Sequence, residues 1–174
     1  MRRMPMVLCA MVLVVVAAAA ARAEQVEDPR YAAWKDYAIG SSASYETETA
    51  AGGQKMLFES THKLLEKADD HVTVEVTTSY TIDGAKHSVP PQKQNIAAKS
   101  EKKNVAEKES EDVKAAGKTY TCKVYEVKET TPTNGKEVTA KVWVSKDVPG
   151  GMVKMEASTD QGKVTSTLKS SETK

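Results

Sequence analysis

Val138-Thr139-Ala140-Lys141-Val142-Trp143-Val144 alternates side chains with a period of two, and its reading decides the fold. A strand turns successive side chains to opposite faces, so Val138, Ala140, Val142 and Val144 share one of them. Upstream, Tyr120-Thr121-Cys122-Lys123-Val124-Tyr125-Glu126-Val127 alternates in the same way, and Asn134-Gly135 lies between the two runs. Asn-Gly signals a hairpin, since both central positions of a type I′ turn need positive φ. A symmetric turn there sets Tyr125 opposite Val144 and Val127 opposite Val142. Pro132 in the connection leaves a longer loop, with another register, as the alternative. The opposite face carries Tyr120, Cys122, Val124 and Trp143, so the centre of the hairpin is apolar on both sides and each side needs cover.

The flanking sequence repeats the pattern. Val148-Pro149-Gly150-Gly151 reads as a turn, and residues 152–157 and 163–168 form a hairpin about Asp160-Gln161-Gly162. Earlier in the chain Val72, Val74, Val76, Tyr80 and Ile82 alternate with polar residues, and Asp83-Gly84 closes that run. Gln54–Lys67 is ambiguous: Met56, Phe58 and Ser60 alternate as in a strand, whereas helix formers follow Ser60. A strand paired tightly with the next run is the more economical reading. Gly52-Gly53 turns into it from a strand over 43–49, and residues 31–40 open with a short helical turn whose Trp34, Tyr37 and Ile39 pack in the core or at a sheet edge. Pro90-Pro91 excludes a central strand, and the lysine- and glutamate-rich stretch 92–113 reads as an edge strand with a long loop, a marginal helix or a mobile flap. About eight strands follow, which predicts a mainly β fold: a curved antiparallel meander sheet or incomplete barrel, with little helix. Such a sheet curls because flat edges invite aggregation.

The first residues have the form of an export signal. Arg2 and Arg3 precede an apolar run over 7–16, a series of alanines and Ala21-Arg22-Ala23 as a small-residue cleavage site. The expected organisation is a signal peptide over 1–23, one antiparallel β domain over 24–170 and a polar tail over 171–174. The mature chain is then periplasmic or secreted, with no membrane span. Cys9 lies inside the apolar run, where it does not match an acylated lipoprotein cysteine. Cleavage leaves Cys122 as the one cysteine, without an intrachain disulfide, and its place on an alternating apolar face favours burial. It also removes three arginines and no acid, taking the formal net charge from +1 to −2 and leaving Arg30 as the only arginine. A surface nearly without guanidinium forks argues against nucleic acid as a partner.

No catalytic constellation is visible. His62, His71 and His87 lack metal-ligand spacing, and Cys122 has no nucleophile motif around it. Gly52-Gly53 and Gly150-Gly151 are turns rather than phosphate loops, and the acidic clusters at 69–70 and 107–112 lack a calcium-loop pattern. No cofactor, metal or enzymatic activity is expected.

The order Trp34, Gly40-Ser41, long alternating strands, then Gly117-Lys118-Thr119-Tyr120-Thr121-Cys122 and Val148-Pro149-Gly150-Gly151-Met152-Val153-Lys154-Met155 resembles small exported bacterial proteins of unknown function. Their strand pattern is in turn similar to that of the periplasmic lipoprotein carriers. That resemblance implies an incomplete antiparallel barrel wrapped around helix and holding acyl chains. Two functions follow as expectations. One is a binding module whose concave face, lined by Tyr125, Val127, Val142, Val144 and Met155, accepts a lipid or other apolar ligand. The alternative is a structural module of the cell envelope that engages an envelope protein through a sheet edge or the lysine-rich segment after Pro91.

Overall fold

The computed structural model describes residues 25–51, 54–82, 85–101, 105–130, 137–159 and 162–174. The expected signal peptide, Cys9 and the turns at 52–53, 83–84, 134–135 and 160–161 lie outside them. In chain order the elements are β1 (Gln25–Glu27), α1 (Pro29–Lys35), β2 (Ser42–Ala51), β3 (Gln54–Lys67), β4 (His71–Ile82) and β5 (Ala85–Ala97). They continue with β6 (Lys99–Glu101), β7 (Val105–Ala115), β8 (Lys118–Thr130), β9 (Glu137–Val144), β10 (Met152–Thr159) and β11 (Gly162–Glu172). Gln54–Lys67 is a single strand, as its alternation and the long run after it require.

Nine strands form one antiparallel sheet in the order β5-β4-β3-β2-β11-β10-β9-β8-β7, and β1 pairs with β6 in a small second sheet. The large sheet is therefore two meanders, β2 to β5 and β7 to β11, joined where β2 pairs with β11. It does not close into a barrel, because β5 and β7 remain as edges. These edges are the segments whose sequence signal was weakest. Their side chains are almost all exposed on both faces, so no alternation is imposed on them. Pro90 and Pro91 are accommodated where the pairing of β4 with β5 shifts register, between Val76 and Thr78. An edge strand tolerates proline because one side of its backbone ladder has no partner.

In the β8–β9 hairpin Tyr125 pairs with Val142, Val127 with Ala140 and Lys123 with Val144. This corrects the register expected from a two-residue turn at 134–135: the strands sit two residues further along, as a longer connection through Pro132 permits. A shift of two preserves the face of every side chain, whereas a shift of one would have reversed it.

The β2–β3, β4–β5, β8–β9 and β10–β11 hairpins all turn at one end of the sheet, called here the open end. The helix α1 occupies the other. Asp28 caps it, its Oδ1 accepting from the Arg30 amide at 2.8 Å, and Pro29 supplies a preset φ in the first turn. A helix of seven residues has little stability alone; it is held by packing. Tyr31 and Trp34 bury against Leu64, Val72, Val74 and Ile96 on β3, β4 and β5. The same helix reaches the β9–β10 connection: the Gly150 amide donates to the Ala33 carbonyl at 3.1 Å, and the Tyr37 hydroxyl donates to the Lys146 carbonyl. In a flat sheet β4 and β10 would lie about 19 Å apart, whereas α1 is only about 10 Å long. The sheet must curl around the helix at this end. Ile39, expected in the core or at a sheet edge, is 59% exposed on the link to β2.

The other margin rolls toward the opposite face. Trp143 on β9 donates from Nε1 to Glu111 Oε2 on β7 at 2.7 Å, passing over β8. Strand β7 also touches β10 and β11. The roll covers the second apolar face read from the sequence: Tyr120, Cys122, Val124 and Trp143 are buried there.

Candidate functional site

The pairings trace one unbroken row across the large sheet. It runs His87, Tyr80, Phe58, Thr47, Ser166, Met155, Val142, Tyr125 and Glu107, one residue from each strand. All of them share a face, since residues directly opposite on neighbouring strands do so. Tyr80 stacks on His87 with centroids 5.3 Å apart, and Phe58 lies 5.9 Å from Tyr80. In the middle the Thr47 hydroxyl donates to Ser166 Oγ at 3.0 Å, which satisfies both groups without a ligand.

Toward the open end the next row is Val105, Val127, Ala140, Ala157, Val164, Thr49 and Met56. Met56 and Val105 are 44% and 41% exposed. Toward α1 the face turns into core: Tyr45, Leu168 and Val153 are buried, and Leu64, Val72 and Val74 pack under the helix. The face is thus closed at the helix end and progressively open toward the hairpin turns.

Charge divides the two faces of β2, β3, β4, β9, β10 and β11. Between the open end and the bulges after Leu64 and Leu168, the described residues on the face of the row include no Lys, Arg, Asp or Glu. The charges of the same strands stand on the reverse, where Lys55 pairs with Glu48, Lys86 of β5 with Glu59, and Lys154 and Lys163 with Glu156. The one histidine on the uncharged face of these strands, His62, rests edge-on against Tyr45 at 5.2 Å, and burial holds its pKa below the usual 6.5. It is neutral at pH 7. Burial likewise pushes the Tyr45 phenol up, so it also stays uncharged.

All five residues expected to line a ligand site fall on this face. Val142 pairs with both Tyr125 and Met155; Val127 lies one row nearer the open end, and Val144 one row nearer the helix. Each is half-buried. Local alternation did not reveal Phe58, Tyr80 and His87 as part of the same row, because the join runs through the pairing of β2 with β11.

Two clefts lie elsewhere, along β7. The larger, about 390 Å³, is lined by Glu111, Asp112, Val113, Lys114, Trp143, Lys154 and Thr167. Its charges are mutually engaged. Lys141 Nζ and Lys154 Nζ sit 4.6 and 4.8 Å from the Trp143 ring, and the hydrogen bonds from Lys141 and then Trp143 lower the pKa of the Glu111 carboxyl. Trp143 is only 5% exposed, which leaves no ring face for a ligand to stack on. The second cleft is formed by Val105, Ala106, Glu126 and Lys128. Among the described residues no group of His, Cys, Asp and Glu side chains could hold a metal ion, and no helix is long and apolar enough to cross a membrane.

No protein family and no curated protein matches the chain. Among solved structures it is similar to a Bacteroides fragilis protein with a YmcC-like fold, one inferred to be exported. The TM-score is 0.50 at 10% identity, over 80% of this chain and 98% of the other. At that identity the likeness concerns the fold.

Proposed function

We propose that this chain is an exported, non-enzymatic binding module that holds an apolar ligand, an acyl chain being the simplest, on the uncharged face of its large sheet. The observation that carries the reading is the division of charge. Six adjacent strands place their charges on one face, while the other stays half-open toward the hairpin turns. A face about 24 Å wide that lacks charges, with rim residues such as Met56 still exposed, has the character of an interaction site rather than of ordinary surface. Export is supported by the N-terminal sequence and by the fold shared with a protein inferred to be exported. The resemblance to periplasmic lipoprotein carriers agrees with an acyl ligand.

Native mass spectrometry of the mature protein, purified from the exported fraction without detergent, tests this directly, with an organic extract analysed beside it. A stoichiometric lipid adduct is expected, and Val142→Asp abolishes it while Thr139→Asp, on the reverse face of the same strand, keeps it. A bare mass from every preparation, or an adduct that survives in folded Val142→Asp, would overturn the reading. A protein partner is the alternative, favoured by the outer edge of β7, eleven residues without proline. In that case hydrogen exchange at β7 amides slows in the presence of envelope extract, while exchange in β10 is unchanged.

A further inference from the structure

The two strands that leave the large sheet unclosed carry opposite charge. Along β5 stand Lys86 and Lys93 and no acid, a formal +2 with His87 not counted. Along β7 stand Glu107, Glu109, Glu111 and Asp112 against Lys108 and Lys114, a formal −2. We propose that the outer edge of β7 receives the outer edge of β5 from a second copy of this chain, so that copies assemble head to tail by strand addition.

Both edges are accessible to such a partner. Every side chain of β5 except Ile96 is exposed, as is every side chain of β7 except Val113 and Ala115. Part of the charge is engaged within the chain: Lys86 pairs with Glu59, Glu107 with Lys123 and Glu111 with Lys141. Lys93 on β5 and Glu109 on β7 have no ion-pair partner among the described residues, and an edge of the opposite sign offers one to each. Eight antiparallel steps separate β5 from β7, so the two run in the same direction. A copy added in the same orientation therefore pairs them in parallel and extends the row that begins at His87 and ends at Glu107, setting an imidazole of one copy beside a carboxylate of the next. The edges also break at nearly the same level. Pro90-Pro91 lie opposite Thr77, three residues from the row along β4, and Glu109-Ser110 lie opposite Lys123, two residues from it along β8. Regular segments thus meet regular segments.

Charges and prolines on an edge ordinarily keep it from pairing with copies of itself. Here they do so for like edges: β5 against β5 sets net positive on net positive, and β7 against β7 sets net negative on net negative. Only β5 against β7 brings opposite charges together. Such a contact is heterologous, since the added copy keeps its own β7 free, and it leads beyond a dimer to a ring or a filament. It is made by strand edges rather than by the uncharged face, so it does not rest on the ligand reading. One edge is a small interface, and association is expected at about 100 µM and above.

Sedimentation velocity of the mature protein at pH 7.5 tests this over about 10 to about 500 µM, at low salt and in about 1 M salt, where the Debye length shrinks to about 3 Å. The mean mass is expected to rise with concentration at low salt and to rise less in high salt. Glu109→Lys with Asp112→Lys turns β7 to +2, and Lys93→Glu with Gln94→Glu turns β5 to −1. Each variant alone sets like charge on like and is expected to associate about tenfold or more weakly than the parent. An equimolar mixture, in which each variant's β5 meets the other's β7 with opposite sign, is expected to recover association. A damaged fold would not regain it on mixing. A parent that stays monomeric throughout, a variant that associates as strongly as the parent, or a mixture as weak as its components would overturn the proposal. A monomeric parent whose β7 amides exchange more slowly in envelope extract would overturn it in favour of an envelope protein at that edge.

Discussion

Replacing Gly150 by alanine tests how the β9–β10 connection and α1 hold each other. Gly150 has φ +78°, and a Cβ built there would stand 2.7 Å from Cζ2 and 2.8 Å from Cε2 of Trp34. Two costs follow. A non-glycine residue in the left-handed region loses about 1 kcal/mol or slightly more. The indole must also move, and Trp34 is only 4% exposed, wedged between the helix and the sheet. Complete loss of such a side chain costs about 3–5 kcal/mol, so a forced partial displacement is set at about 2 kcal/mol. Gly117 provides the control: its φ is +72°, but a Cβ there meets nothing within 4 Å. Gly117→Ala should therefore show only the backbone cost of about 1 kcal/mol, and Gly150→Ala a total of about 3 kcal/mol. Urea unfolding of both variants, read by far-ultraviolet circular dichroism, measures the difference, which corresponds to about 4–8 °C in Tm for a domain of this size. Equal losses in the two variants would refute the claim that the indole locks the connection.

Two further outcomes follow from groups already described. Cys122 is 1% exposed and burial pushes its thiol up, so a disulfide reagent should modify it only on unfolding; rapid modification of the folded protein would reopen a role as nucleophile. The folded pKa of His62 lies below its unfolded value of 6.5 because burial disfavours the charged form. Below pH 6.5 the unfolded chain takes up a proton there that the folded chain resists, so this residue lowers stability progressively as pH falls from 6.5 toward the folded pKa. The urea midpoint of His62→Gln should fall less between pH 7.5 and 5.5 than that of the parent, and parallel pH profiles would contradict the assignment.

Much of the sheet was legible because period-two alternation is a local signal: β4, β8 and β9 announce themselves, and Val148-Pro149-Gly150-Gly151 marks the turn between β9 and β10. Trp34 and Cys122 could be placed in the interior from the apolar residues around them. The edges could not, because nearly all side chains of β5 and β7 are exposed, Ile96 and Ala115 at their ends excepted, and nothing selects an alternating pattern along the rest. Ile39 was misplaced for the opposite reason, since hydrophobicity does not reveal that a link passes over the outside of the sheet. The hairpin register depended on loop length, which Asn134-Gly135 alone does not set against Pro132. For the candidate site, the five residues on β8, β9 and β10 were accessible from alternation. The aromatic half of the row was not, because Phe58 and Tyr80 join Met155 only through β2 and β11, strands from opposite ends of the chain.

That same join sets an order in time. During synthesis the strands β2 to β5 emerge first and can pair among themselves, but β2 must await β11, the last strand to leave the ribosome. For that interval its ladder of amides and carbonyls is an open template for any passing strand. Its own sequence limits the hazard: Glu46 and Glu48 alternate along it on the reverse face, and they later find Lys169 and Lys55. Before β11 arrives to bring Lys169, Glu46 makes the growing half-sheet repel copies of itself.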